Sequence, residues 1–164
     1  MARHEQRHPD RLGTDGDVPA PRAIVVFEDR ADKSALRLLR PGFRHCFCLV
    51  GAGRTWTICD PLKTRIEIVP LFGPSEDELV RHYVGTGRSV LVGRIAATTA
   101  PSWNLRPMSC VETVKRVLRL HAPWVFTPAQ LYRALLHPTR PGAGFAARPT
   151  GERRVSCPLD GGIL

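Results

Sequence analysis

Three short stretches of the chain carry side chains that together can do nucleophilic chemistry. They are Phe43-Arg44-His45, Cys59-Asp60-Pro61 and Ser109-Cys110-Val111-Glu112. A thiol, an imidazole and a carboxylate are the parts of a cysteine nucleophile. The imidazole takes the thiol proton, the carboxylate orients the imidazole, and the thiolate attacks a carbonyl carbon. The chemistry requires the three to meet, so the elements that carry them decide the matter.

Residues 43–50 and 55–60 are rich in aromatic and β-branched side chains, as strands are. Between them Gly51-Ala52-Gly53-Arg54 reads as a four-residue hairpin loop. Such a loop sets Val50 opposite Thr55, Phe47 opposite Ile58 and His45 opposite Asp60. Directly opposed residues share a face, with Cβ atoms roughly 4.5–5.5 Å apart. One face then holds Phe43, His45, Phe47, Leu49, Trp56, Ile58 and Asp60, and the other Arg44, Cys46, Cys48, Val50, Thr55, Thr57 and Cys59. A slip of one residue would put His45 and Asp60 on opposite faces.

Residues 110–120 carry Val111, Val114, Val117 and Leu118 at helical spacing. Ser109 and Glu112 have the spacing of a capping box, which makes Cys110 the first helical residue. There the helix dipole and the free N–H groups favour a thiolate and can hold a developing oxyanion. Pro107 suits an extended approach to the cap. The expectation is a helix packed on the sheet face that bears His45, with the thiol within roughly 3–4 Å of the imidazole. Taken singly, the same residues have plainer readings: a small core cysteine and a mutually satisfied His–Asp pair.

In this order (His on a strand, a polar residue on the next, Cys at a helix start) the chain resembles the circularly permuted NlpC-type, papain-like cysteine hydrolases. That superfamily includes the lecithin–retinol acyltransferase-like proteins. The resemblance spans residues 43–136. It implies a thiol hydrolase or acyltransferase with Cys110 as nucleophile, His45 as general base and Asp60 as its orienting partner. The implied substrate is a peptide, an amide or an acyl ester. Trp103 and Asn104, in the loop before Cys110, are candidates to line a substrate cleft; the alternative is that Trp103 anchors the loop in the core. The competing function is a catalytically inactive scaffold or virion-type structural protein that keeps the fold and meets assembly partners through its termini. The two differ in whether Cys110 and His45 open to solvent.

A chain of 164 residues with 43% hydrophobic content suits one domain with an adequate core. No run approaches 18 apolar residues, so no membrane-spanning helix is expected. Residues 1–22 are polar and lack a hydrophobic stretch, the composition of a disordered arm rather than a secretory signal. With five cysteines, an odd number, this points to free thiols in a cytoplasmic, reducing setting, with assembly into a virion or other particle left open. The net charge is +9, and all but Lys33, Lys63 and Lys115 of the 24 basic residues are arginines. They are spread along the chain, with no basic helical face interleaved with aromatics, so no specific nucleic-acid partner is expected. Cys46, Cys48 and Cys59, with Cys157, could in number ligate zinc. Cysteines two apart on a strand fit a tetrahedron poorly, however, and they read as small hydrophobes. Neither a metal nor a cofactor is expected.

Around the site, strands are expected at 23–28, 65–71 and 89–95. Helices are expected at 32–39 and 75–83, the latter with a Ser75/Glu78 capping box. A last helix opens at Thr127-Pro128-Ala129-Gln130 and buries Leu131, Tyr132, Leu135 and Leu136. The expected class is α+β: an antiparallel sheet of four or five strands with helices packed on one face. The domain would occupy residues 23–138, followed by an irregular Arg/Pro/Gly-rich tail at 139–164.

Overall fold

A computed structural model of the chain describes residues 21–30, 38–62, 64–95, 107–137 and 145–150. The expectations for the N-terminal arm, for most of the 32–39 helix, for Trp103 and Asn104 and for Cys157 lie outside the described residues.

The fold is α+β. In chain order the elements are β1 (Arg22–Glu28), β2 (His45–Ala52), β3 (Thr55–Pro61), β4 (Ile66–Phe72), α1 (Glu76–Gly85), β5 (Ser89–Ile95), α2 (Cys110–Val117), α3 (Pro128–Leu136) and β6 (Phe145–Thr150). The strands form one sheet in the order β4-β3-β2-β1-β5-β6, and every neighbouring pair is antiparallel. Among the described residues no helix is long and apolar enough to cross a membrane.

The position of β1 follows from its composition. Residues 23–27, Ala-Ile-Val-Val-Phe, alternate between the two faces, and all five are fully buried. An unbroken apolar run of this kind belongs to a strand covered on both sides. The helices are accordingly divided between the faces. Leu79 of α1 packs with Ile24, Val26, Phe47, Leu49, Trp56, Val90 and Val92. On the other face Val111, Val114 and Leu118, with Leu131 and Leu135 of α3, cover Val25, Phe27, Cys46, Cys48 and Leu91. The expected single helical layer is therefore two. β2 and β1 present apolar side chains to both sides, and one layer would leave half of them wet.

The sheet has six strands rather than four or five. The sixth lies in the tail expected to be irregular: β6 pairs with β5 from Val90↔Thr150 to Ile95↔Phe145, and Phe145 is buried in the α2–α3 core. The Pro and Gly content of the tail hid a strand whose pairing covers the edge of β5. At the opposite edge β4 exposes Ile68 and Phe72 and carries Pro70, a residue tolerated where no further strand needs its N–H.

Candidate active site

The β2–β3 hairpin is tighter than its sequence suggests. Ala52 pairs with Thr55, Gly51 with Trp56, Val50 with Thr57, Leu49 with Ile58 and Cys48 with Cys59. The loop is thus the two residues Gly53-Arg54, with Gly53 at φ +60, the positive angle a tight hairpin turn requires at its first central position. Gly51 is equally constrained: a Cβ there would lie 2.1 Å from the Thr55 carbonyl oxygen. Gly51 therefore belongs to the ladder and Gly53 alone to the connection, and the expected register is corrected by two residues. A shift of two preserves every face. It leaves His45 diagonal to Asp60 instead of directly opposite, a spacing still within reach of longer side chains. His45 Nε2 and Asp60 Oδ1 lie 2.8 Å apart.

The same register explains why the two are brought together at the end of the sheet. The β2–β3 ladder ends at Cys48↔Cys59. Beyond it, β2 continues along β1 to His45↔Glu28, while β3 continues along β4 to Pro61↔Ile66. The two strands part there. His45 and Asp60 stand on either side of the split, 10% and 16% exposed at their side chains. The second carboxylate oxygen of Asp60 faces Arg30, with Nη1 at 3.7 Å, and the same nitrogen lies 3.7 Å from Glu28 Oε1. Arg88 Nε donates to Glu28 at 2.8 Å. The imidazole is thus backed by alternating charges drawn from three strands and their flanks.

Helix α2 starts at Cys110. Ser109 is its N-cap, and its hydroxyl accepts from Glu112 N–H at 3.2 Å. The capping box is only half made. Glu112 turns instead to Lys115 at 2.8 Å and Arg116 at 3.2 Å. The buried Lys115 also donates to the carbonyls of Ala122 and Val125, tying the following loop to the helix. A buried carboxylate satisfied by two cations has little reason to reach back to the cap.

The helix does not lie on the face expected for it. It packs on the face of Cys46, Cys48 and Cys59, opposite the face that the strand alternation gives to His45. Contact with His45 survives because the imidazole lies at the open end of the β2–β3 ladder rather than mid-strand. There Cys110 and His45 interact directly, each altering the titration of the other. With Nε2 engaged by Asp60, Nδ1 is the ring nitrogen left for the thiol.

The electrostatics favour an ion pair. For His45, burial opposes the charged form, but hydrogen bonds to Asp60 and to the Cys110 sulfur outweigh it and raise the pKa to about 9. For Cys110, a hydrogen bond from the Cys46 thiol is the leading cause of a pKa lowered to about 4; burial opposes, and the His45 imidazolium adds to the shift. Both shifts run in the direction that moves the proton from Cys110 to His45 and favours a thiolate beside an imidazolium. Cys110 is half-buried.

Cys46 was legible as a core cysteine but not as a site residue. It is fully buried directly beneath Cys110, and burial together with the Cys110 contact pushes its own thiol up, so that it stays protonated and donates. The available signal was its parity: the residue after His45 points to the face that α2 covers. A register with His45 opposite Asp60 also sets Cys46 opposite Cys59, and the same two-residue shift corrects it, for Cys59 faces Cys48. In that pair the buried Cys48 thiol donates toward Cys59 and draws it down. Among the described residues no group of three or more His, Cys, Asp or Glu is placed to hold a metal ion. Trp103 and Asn104 lie outside the described residues. Comparison with family models, curated proteins and solved structures finds no match to the chain.

Proposed function

We propose that the chain is a thiol hydrolase or acyltransferase of the permuted papain-like type, acting on an amide or ester through a Cys110 acyl-enzyme. The observation that carries this reading is the Cys110–His45–Asp60 constellation, with the thiol at a helix start, pKa values inverted between thiol and imidazole, and Cys110 half-buried rather than sealed in the core. A buried structural cysteine has a raised pKa, as Cys46 does.

The Cys110 thiolate attacks the carbonyl carbon and the carbonyl π electrons move to oxygen. The N–H groups of Cys110 and Val111, which α-helix geometry leaves without an intrahelical acceptor, are placed to receive that oxyanion. As the tetrahedral intermediate collapses, His45 gives its proton to the departing amine or alcohol. The neutral imidazole then takes a proton from water, or from another acceptor, which attacks the thioester and releases the acid or the transferred acyl product. Asp60 holds the ring through both transfers. His45 thus acts first as an acid, because its deprotonation of Cys110 is complete in the resting state.

The test is single-turnover acylation by an activated ester such as a p-nitrophenyl acyl ester, with the acyl group mapped by mass spectrometry. Acyl transfer to Cys110 that requires His45 supports the reading. A protein whose Cys110 is alkylated readily but is never acylated, and which assembles into particles, supports the inactive scaffold instead.

A further inference from the structure

Four of the chain's five cysteines share one sheet face. Cys46 and Cys48 are two apart on β2, Cys59 stands opposite Cys48, and Cys110 sits over Cys46 at the start of α2. All four are free thiols. We propose that Cys110 and Cys46 are a hydroperoxide-oxidised pair, in which Cys110 is the attacking sulfur and Cys46 resolves it into an intramolecular disulfide. The proposal rests on the reading of Cys110 as an activated nucleophile and adds to it a second substrate class and a second residue.

The two sulfurs differ in the way such a pair needs. Cys110 is half-buried, whereas Cys46 is fully enclosed, so Cys110 is the one of the two that an oxidant meets first. The thiolate attacks one oxygen of the peroxide and the O–O bond breaks. With a proton supplied by His45, the products are a Cys110 sulfenic acid and water, or an alcohol from an organic peroxide. The Cys46 sulfur, already in hydrogen-bonding contact, then attacks the sulfenic sulfur. The S–O bond breaks, the Cys46 proton leaves with the hydroxide as water, and an S–S bond forms. The peroxide is reduced by two electrons and the two thiols are oxidised to one disulfide. In that form Cys110 cannot attack a carbonyl, until two equivalents of an external thiol reduce the bond. Resolution by Cys46 also keeps Cys110 from the irreversible sulfinic state. Cys48 and Cys59 are the internal control, since they too are adjacent thiols but lack the imidazole and the helix start.

The experiment treats the reduced full-length chain with near-stoichiometric hydrogen peroxide at about pH 6, where an ordinary thiol is protonated, and maps the products by mass spectrometry. The expected result is the loss of two hydrogens, cross-linked Cys46 and Cys110 peptides, and formation at least about tenfold faster than any Cys48–Cys59 bond. Cys46→Ala, or Cys46→Ser should the alanine variant fold poorly, should instead accumulate a dimedone-trappable sulfenic acid at Cys110 and then the sulfinic acid. A Cys48–Cys59 disulfide as first product, or sulfinic acid at Cys110 of the unsubstituted chain, would overturn the pairing. Fast iodoacetamide labelling of Cys110 without disulfide formation sinks this inference alone. Disulfide formation without acylation by the ester probe sinks the hydrolase reading alone.

Discussion

The sheet offers two thiol pairs in similar surroundings, and only one of them is placed to do chemistry. Cys48 and Cys59 face each other across the last rung of the β2–β3 ladder, while Cys46 and Cys110 meet where that ladder has ended and a helix begins. In each pair a buried thiol donates to a more exposed partner. Donation alone brings Cys59 down to about 7, whereas Cys110, with His45 beside it, reaches about 4. The difference teaches that a donating thiol is the leading cause of the lowering in both pairs, and that the imidazolium carries Cys110 further than Cys59. The imidazolium in turn needs the split in the sheet that admits Asp60.

The comparison can be broken most severely at Cys110 itself. Cys110→Ala should abolish acylation by an activated ester, a loss of at least about a thousandfold, while leaving the labelling of Cys59 unchanged. His45→Ala should come next. At about pH 6 the alkylation of Cys110 should fall by about tenfold, so that Cys110 comes to resemble Cys59. Circular dichroism should show the fold intact, because His45 lies at the end of a strand.

Asp60→Asn sharpens the pH dependence. The Cys110 group, lowered from 9.0 to about 4, stabilises the fold above that range and loses its contribution as pH falls through about 4. The His45 group, raised from 6.5 to about 9, contributes fully below its unfolded value and loses its contribution as pH rises through about 9. Acylation should therefore follow a bell between about 4 and about 9. Removing the Asp60 charge should draw the alkaline limb down and leave the acid limb nearly in place. Cys46→Ala should do the reverse, raising the acid limb well above about 4, because the Cys46 hydrogen bond is the leading cause of its depression, while the alkaline limb stays. Phe145→Ala should have the smallest effect on reactivity and a large one on stability. Truncating this buried ring should cost about 3–5 kcal/mol in urea denaturation without moving either limb.

Much of this arrangement was legible from residue types. The strand at 23–28 stands where its residues predict it, and Ser75/Glu78 and Thr127/Gln130 both form complete capping boxes. His45 and Asp60 were placed on one face because alternation along a strand tolerates a register error of two. Three features were not legible. The two-residue turn depends on Gly53 taking a positive φ, and composition alone does not choose which of two loop glycines does so. The face on which α2 packs is set by tertiary competition, since both faces of β2 are apolar and only the burial of Val111, Val114 and Leu118 against Cys46 and Phe27 decides it. β6 was hidden because Arg148 and Pro149 interrupt its alternation, yet an edge strand needs only one apolar anchor, here Phe145, and a ladder to its neighbour.

The pH dependence of Cys110 alkylation tests the thiolate–imidazolium pair most directly. The full-length chain would be labelled with iodoacetamide at closely spaced pH values and the Cys110 peptide quantified by mass spectrometry. The ion pair predicts a rate that rises through an inflection at about 4 and holds a plateau to about pH 8, with His45→Ala abolishing the plateau. A single inflection at the ordinary thiol value, about 8.5, unchanged by His45→Ala, would contradict it.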